Sequence, residues 1–210
     1  LSGSFSNWLT VQRGKAAGER LSYFTEGTLP GFEGNGRLDG YRAERENGDH
    51  PPGGWQSALF SPDYAQSATG FAGAPHQLGV ASDQLYSSWE INPEPDASEE
   101  ALEQGTYLRT STGFEPLGQG SLDEDLDALS RYVSAGGAHT IFSSKVHLEP
   151  DAPPAGNAAL YDRVAGSSSA HVLTLPPDDA SEAEEAEFLA SLRSKEQVSF
   201  QGASEDGATV

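Results

Sequence analysis

The chain has 210 residues with 32 acidic and 12 basic side chains, a net charge of −20, and neither cysteine nor methionine. Such a negative surface repels phosphate backbones and anionic lipids, which argues against a nucleic-acid partner, and without cysteine there is no disulfide, thiolate nucleophile or cysteine-ligated metal. No apolar run approaches the eighteen or so residues of a membrane helix, so membrane insertion is not expected.

Short strand patterns begin near the amino terminus and recur along the chain. The sequence predicts a first group of strands, joined by glycine-rich turns, at 8–11, 20–25 and 40–45. A second group contains a front hairpin, a loop rich in Pro and Glu, and a back hairpin, at 78–89, 93–104 and 106–117. Alternating apolar and polar residues between Gly, Ser and Pro clusters are typical of antiparallel meanders.

The second half of the chain contains a third group and two helical patterns. The third group is the most regular and predicts strands within 131–144, 159–164 and 170–175. Apolar residues at helical spacing predict a short surface helix over 122–129. A capping residue, early acids and late cations predict a second helix over 179–195, with Phe188, Leu189 and Leu192 as its apolar stripe. A fourth group opens at 198 and stops within a hairpin.

The groups share an internal spacing, which suggests copies of one sheet-forming unit. An aromatic residue on the second strand and a tyrosine on the third lie 17, 21 and 19 residues apart in the pairs Phe24 and Tyr41, Tyr86 and Tyr107, and Phe142 and Tyr161. The variation falls in the loops, as expected if the strands form the scaffold.

Three motifs resemble the WD-type repeats of TolB-like β-propellers: Leu160-Tyr-Asp-Arg163, Ile141-Phe-Ser-Ser144 and Ala203-Ser-Glu-Asp-Gly207. Tyr107-Leu-Arg109 fits the same pattern, whereas 134–137 lacks the Asp and 41–43 lacks the Arg. The chain also resembles large secreted propeller-like proteins of high-GC soil bacteria. The resemblance implies an all-β fold of repeated four-stranded antiparallel blades, a partial or full β-propeller, with one short helical insertion near 180–195.

We therefore expect a single propeller-like repeat domain over 1–210 that is a fragment of a longer chain. Its blades would span about 5–55, 56–120 and 130–178, with an incomplete blade at 197–210. The end blades of such an arc would expose apolar faces, which neighbouring blades of the parent chain or a second copy would cover.

The histidines show no metal-ligand spacing. His139 and His147 share an even spacing, but about 25 Å of extended chain separates them at about 3.3 Å per residue. His50, His76 and His171 are isolated in the sequence. No histidine pair therefore predicts a metal site.

An acidic run resembles the start of a calcium loop. Asp123, Asp125 and Asp127 have the right alternation, but Ala128 stands where the sharp turn needs Gly, and Ser134 where a bidentate Glu should be. A solvated acidic face is the favoured interpretation.

Two further segments resemble catalytic motifs and are predicted to be turns. Gly166–Ala170 has a Ser two places after a Gly, as in a nucleophile elbow, but a strand rather than a helix follows. Ser204–Gly207 is similar to the Asp box of sialidase propellers, but its Gly comes one place early and no Trp follows.

Aromatic residues could form a sugar platform, although core or inter-blade packing is the favoured interpretation for all of them: Trp8, Trp55, Trp89, Tyr64 and Phe71. In so acidic a chain, some pair of carboxyl groups will lie by chance at the separation that glycosidases use, and the sequence singles out no such pair as catalytic. No residue is thereby assigned to a catalytic, cofactor-binding or metal site.

These observations favour a non-catalytic interaction or binding module of a secreted or cell-surface bacterial protein, located outside the cell, that presents acidic loops to a protein or glycan. The alternative is a secreted polysaccharide-active hydrolase or lyase that uses paired carboxylates in a propeller cleft. A spacer without a ligand is a third possibility. Converging acids with a strongly raised pKa would favour the enzyme.

Overall fold

The structure is a computed structural model that describes residues 20–32, 34, 38–45, 54–63, 75–83, 85–92, 102–110, 112–167, 169–193 and 200–210. This part of the chain is mostly β and contains three antiparallel sheets, a two-stranded hairpin and one α-helix. It contains no closed barrel or propeller. The expected all-β class is thus confirmed at the level of antiparallel sheets.

Each sheet is a meander whose strands are neighbours in sequence. Sheet 1 contains β1 (Arg20–Glu26), β2 (Leu38–Arg45) and β3 (Trp55–Leu59). Sheet 2 contains β4 (His76–Val80), β5 (Ser87–Ile91), β6 (Gly105–Arg109) and β7 (Phe114–Pro116). The hairpin β8 (Gly118–Gln119) and β9 (Glu124–Asp125) follows.

Sheet 3 contains β10 (Leu129–Val133), β11 (His139–Ser144), β12 (Ala159–Val164) and β13 (Ala170–Val172). Strands were predicted within each of these sheets, and the pattern at 159–164 matches β12 in full. The predicted strand at 8–11 lies outside the described residues.

Two sequence predictions need correction. The boundary expected between 55 and 56 falls inside β3, which pairs with β2 so that Leu59 lies opposite Tyr41, and 56–59 therefore belong to sheet 1. The helix predicted over 122–129 is wrong, because β9 lies there and pairs with β8. The carboxylate of Asp125 accepts a hydrogen bond from the Asp127 amide, so a side chain takes the place of a helical carbonyl.

The single described helix, α1 (Glu182–Arg193), confirms the helical pattern expected near 180–195. Ser181 and Glu184 form a reciprocal cap, in which the Ser181 amide donates to Glu184 Oε2 at 2.8 Å and the Glu184 amide points back to Ser181 Oγ at 3.4 Å. Only Leu192 of its apolar stripe is buried. No described helix is apolar and long enough to pass through a bilayer.

Residues 200–210 contain no strand where a fourth blade was expected to begin, and instead pack against sheet 3. The ring of Phe200 stacks on Tyr132 with 6.1 Å between the ring centroids. The Tyr132 hydroxyl donates to the Ser204 carbonyl at 2.8 Å, and the Ala135 amide donates to the Glu205 carbonyl at 3.0 Å.

Sheet 2 packs against its two neighbours with opposite faces. Trp89 and Tyr107 face sheet 1, where they join a cluster with Phe24 and Phe60. Leu108 points to the other face because side chains alternate along a strand, and it packs with Val133 of sheet 3. Trp89 is fully buried. Burying such side chains stabilises the fold by about 1.5–3 kcal/mol each.

Candidate functional site

The three tyrosines on which the sequence prediction of a repeat depends occupy equivalent register positions in the three sheets. Each lies between an aromatic residue on the strand before it and an apolar residue on the strand after it: Tyr41 between Tyr23 and Leu59, Tyr107 between Trp89 and Pro116, and Tyr161 between Phe142 and Val172. The sequence identified the aromatic partner in sheet 3 correctly. In sheets 1 and 2 the partner is Tyr23 or Trp89 rather than Phe24 or Tyr86.

The tyrosine hydroxyls are also held alike, each by the loop that precedes the tyrosine's strand. Tyr107 donates to the Glu103 carbonyl at 3.0 Å, and Tyr161 donates to the Val146 carbonyl at 3.0 Å. Tyr41 accepts from the Leu29 amide at 3.1 Å. The hydroxyls therefore anchor the corresponding loops of the three sheets.

Carboxylates surround two of these hydroxyls. Burial and the charges of Glu149, Asp125 and Asp151 raise the pKa of Tyr161 to about 12. Burial raises the pKa of Tyr107 as well, and the charges of two glutamates add to the effect. We call this group of carboxylates, together with the neighbouring Asp127, the acidic rim: Glu103, Glu124, Asp125, Asp127, Glu149 and Asp151.

Two members of the acidic rim, Asp125 and Asp127, line a cleft of about 290 Å³. Its walls come from β9, the turn after it, the start of β10, β11 and the loop after β11. They consist of Asp125, Asp127, Leu129, Ser143, Ser144, Lys145, Val146 and Ala158. Ser144 holds the cleft together, because its hydroxyl donates to Asp125 Oδ2 and accepts from the Val146 amide. Lys145 is the single cation in this lining.

Glu149 is the buried member of the rim, with 5% of its surface exposed. It accepts hydrogen bonds from the amide and hydroxyl of Ser121 and from the Ala170 amide. Burial alone would raise the pKa of Glu149, but these hydrogen bonds outweigh burial and hold the pKa below its usual range. Glu149 therefore joins two loops to sheet 3 as an ionised group.

The run that resembles a calcium loop does not form one. Asp123 accepts from the Glu124 amide at 2.8 Å, and Asp125 is held by the Asp127 amide and Ser144. These carboxylates cap local backbone groups rather than converge on one point. In the described ranges, no group of three or more acidic or histidine side chains could hold a metal ion.

The histidines are dispersed, and one of them has a partner that the sequence did not reveal. His139 Nδ1 lies 2.7 Å from Asp162 Oδ2, while Asp162 Oδ1 is buried without a hydrogen bond. His147 bonds the Pro153 carbonyl, His76 is exposed, and His171 lies opposite Asp162 in the strand register. His50 is outside the described residues. The His139–Asp162 pair depends on the pairing of β11 with β12, which spacing alone does not indicate.

The aromatic residues that the structure describes do not assemble a sugar platform, which was the alternative to the core packing favoured from the sequence. Trp89 is fully buried, and Trp55 is 38% exposed with the Arg45 guanidinium 5.3 Å from its ring centroid. Trp8, Tyr64 and Phe71 lie outside the described ranges. Core packing is thus confirmed for Trp89.

Both turn predictions are confirmed. Gly166 lies in the turn that joins β12 to β13, and no helix follows it. At 204–207, the Gly207 amide donates to the Ser204 carbonyl at 2.8 Å, and Asp206 accepts from the Ser204 hydroxyl. The Ser204 hydroxyl is therefore engaged in the turn itself.

Comparison with protein-family models, with curated proteins and with solved structures finds no match in any of the three.

Proposed function

We propose that the chain is a non-catalytic binding module of a secreted or cell-surface bacterial protein, of the TolB-like propeller type, and that its acidic rim binds a cationic segment of a protein partner. The observation that carries this proposal is the cleft lined by Asp125 and Asp127. Asp127 is exposed, as are two further rim carboxylates, Asp151 near Tyr161 and Glu124 near Tyr107. Ionised groups around an open cleft attract and orient a positively charged ligand.

The propeller assignment is supported by the repeated environment of the tyrosines. Three successive meanders place a tyrosine between an aromatic and an apolar residue and bind its hydroxyl to the preceding loop. Sheet 2 also packs against one neighbour on each face. Equivalent units stacked in sequence order are the arrangement that a propeller requires.

The pKa values favour binding over the hydrolase or lyase alternative. A general acid at neutral pH needs a raised carboxyl pKa. Among the described carboxyls with a shifted pKa, the shift is downward in every case: Glu44, Glu149, Glu184 and Asp206. Glu149 is the rim carboxyl among them, and its lowered pKa keeps it ionised, which suits recognition of a cation.

A protein partner is favoured over a glycan because the cleft has no aromatic wall. Sugar sites usually offer an aromatic face for stacking. The residues around this cleft are carboxylates, hydroxyls, aliphatic groups and one lysine.

Calorimetric titration with a short oligolysine peptide tests the proposal. Replacing Asp127 and Asp151 together by Asn is expected to weaken binding on the order of tenfold. The matched control replaces Glu182 and Glu185 of α1 by Gln, which changes the net charge equally on another exposed surface. It is expected to change affinity by less than about twofold, since no residue of α1 lines the cleft.

Equal weakening by both double variants would reduce the interaction to non-specific attraction by the net charge and overturn the proposed site. Binding of a neutral glycan that the Asp127 and Asp151 variant abolishes would assign the cleft to a sugar instead. Polysaccharide turnover by the purified chain would establish the enzymatic alternative.

A further inference from the structure

The strand register allows the two junctions between sheets to be compared place by place. Two positions after Tyr161 stands Arg163, which reaches back to the last strand of sheet 2. Its Nη1 donates to the Pro116 carbonyl at 2.7 Å, and its Nη2 donates to Glu115 Oε2 at 3.1 Å. The Arg163 side chain is 4% exposed. At this junction the chain itself supplies the carboxylate that a buried guanidinium needs.

The junction between sheets 1 and 2 has the same arginine but a different partner. Two positions after Tyr107 stands Arg109, whose guanidinium carbon lies 5.1 Å from the ring centroid of Phe60, just after the last strand of sheet 1. Arg109 therefore contacts a residue beside the preceding sheet, just as Arg163 contacts the last strand of sheet 2.

The residue equivalent to Glu115 carries no charge. In sheet 2, Glu115 lies opposite Leu108, the residue that follows Tyr107. In sheet 1, Ala58 lies opposite Arg42, the residue that follows Tyr41. Ala58 therefore stands in sheet 1 where the neutralising glutamate stands in sheet 2.

A second cation stands in this junction. Arg42, opposite Ala58, has its guanidinium carbon 5.7 Å from the same Phe60 ring. The Nε atoms of Arg42 and Arg109 are buried without a hydrogen-bond partner, as is the Nε of Arg163. Unlike Arg163, however, neither of these half-buried side chains forms an ion pair within the described ranges. Burial and the charge of Arg42 lower the pKa of Arg109.

Among the described residues, the junction thus contains two arginines and no carboxylate that forms an ion pair with either of them. Like charges that are partly removed from water are costly unless an anion pairs with them, and contact with an aromatic face offsets only part of that cost. The charges of Arg42 and Glu44 interact, but Glu44 forms its ion pair with Arg20, and no described carboxylate lies within ion-pair distance of Arg42 or Arg109.

We propose that Arg42 and Arg109 form a binding site for the carboxylate of an exogenous ligand, which takes the place beside Arg109 that the Glu115 carboxylate takes beside Arg163. A free organic acid and a uronic-acid unit of a polysaccharide both supply this group. The planar guanidinium suits a carboxylate because two parallel N–H donors match its two oxygens. The site is separate from the acidic rim, and the inference does not depend on the proposed function.

Calorimetric titrations with sodium acetate and with sodium glucuronate test the proposal, with sodium chloride and glucose as controls at matched ionic strength. Arg109→Gln is expected to weaken carboxylate binding at least about tenfold, because it removes a charge-assisted donor pair. Arg45→Gln, which removes an exposed arginine stacked on Trp55, is the matched control and is expected to change binding by less than about twofold.

Ala58→Glu gives a second test that keeps both arginines. The new carboxylate lies where Glu115 lies in the next sheet, so it is expected to occupy the site, abolish acetate binding and raise the melting temperature. Because this variant keeps the cations that hold the ligand, it remains decisive even where Arg109→Gln fails to fold.

Absence of any heat of binding for both acids at millimolar concentration would overturn the proposal. So would acetate binding by Ala58→Glu with unchanged affinity, or equal weakening by Arg45→Gln and Arg109→Gln. Tighter binding of glucuronate than of acetate would support the site and assign it to a uronic-acid unit, and equal binding would support it as a site for simple carboxylates.

Discussion

Arg163 of sheet 3 donates from Nη2 to Oε2 of Glu115 in sheet 2 across 3.1 Å, and this pair joins two consecutive meanders. The guanidinium is almost wholly buried, while the Glu115 side chain is 40% exposed. The carboxylate thus reaches inward from the surface to the cation. The contact spans 48 residues of sequence and ties the last strand of one sheet to the third strand of the next.

Removing this cation is expected to destabilise the fold. Arg163→Met should lower the free energy of unfolding by about 2 kcal/mol, because the Pro116 carbonyl and Glu115 both lose a charged donor. Arg20→Met is the control, since the Arg20–Glu44 pair is more exposed and its loss should cost less than about 1 kcal/mol. Urea denaturation measures both, and equal losses would contradict a special role for the buried contact.

The tyrosine hydroxyls are expected to contribute equally in the three sheets. Tyr41→Phe, Tyr107→Phe and Tyr161→Phe should each cost about 1 kcal/mol, because each removes one buried or half-buried hydrogen bond to a loop. Denaturation curves of the three variants measure this. A negligible cost in one of them would mean that its loop is held by other contacts and that the three places are not energetically equivalent.

Alkaline pH is expected to weaken the fold through Tyr161. Its folded-state pKa is raised to about 12 from 10.0, so the folded chain holds the proton more tightly than the unfolded chain does. The resulting stabilisation is complete below pH 10 and is lost as the pH rises towards 12. The free energy of unfolding, measured across this pH range, should fall less steeply in Tyr161→Phe than in the natural sequence. Parallel slopes would show that Tyr161 does not carry the effect.

Acid pH is expected to act through Glu149, whose pKa is lowered from 4.5 in the folded chain. The contribution of Glu149 to the free energy of unfolding is present above pH 4.5 and is lost as the pH falls through its folded-state pKa. Glu149→Gln should therefore be less stable than the natural sequence at neutral pH and lose less stability on acidification. Ser121→Ala, which removes one of the donors to Glu149, should lie between the two. Thermal unfolding from neutral to acid pH provides the comparison.

The 3₁₀ turn between β10 and β11 offers a matched pair of glycines. Gly136 and Gly137 both have positive φ, but a Cβ on Gly137 would lie 2.2 Å from the Tyr86 ring, whereas nothing stands within 4 Å of one on Gly136. Gly136→Ala should cost about 1 kcal/mol from backbone strain alone. Gly137→Ala should cost at least about 2 kcal/mol, because Tyr86 must also move. Similar losses in the two variants would mean that Tyr86 relaxes freely.

The strands of sheets 2 and 3 were predictable because alternation and turn residues are local signals. The helix α1 was predictable for the same reason, since Ser181 and its acidic first turn form a local cap. The helix expected over 122–129 failed because its apolar spacing is shared by a short hairpin, and the pairing of Gly118 with Asp125 decides between the two. In so short a segment, helix propensity is weaker than the hydrogen-bonded pairing of two strands.

The two proposed binding sites were harder to predict from the sequence. The acidic run at 123–127 was visible, but its cleft exists only because β11 brings Ser144 to Asp125. The guanidinium pair in the junction of sheets 1 and 2 was not found at all. The Arg two places after Tyr107 was recognised as part of a motif, yet only the packing of the sheets shows what stands opposite it.

The amino-acid sequence by itself determined the β class, the positions of most strands, the single capped helix and the tyrosine that recurs in each meander, because these follow from local alternation, turn chemistry and capping. Tertiary structure alone decided which charges are neutralised: Arg163 meets Glu115, while Arg109 meets Phe60 and Arg42. Charge pairing depends on which faces of separate sheets come together, and residues tens of positions apart carry no local signal of that contact.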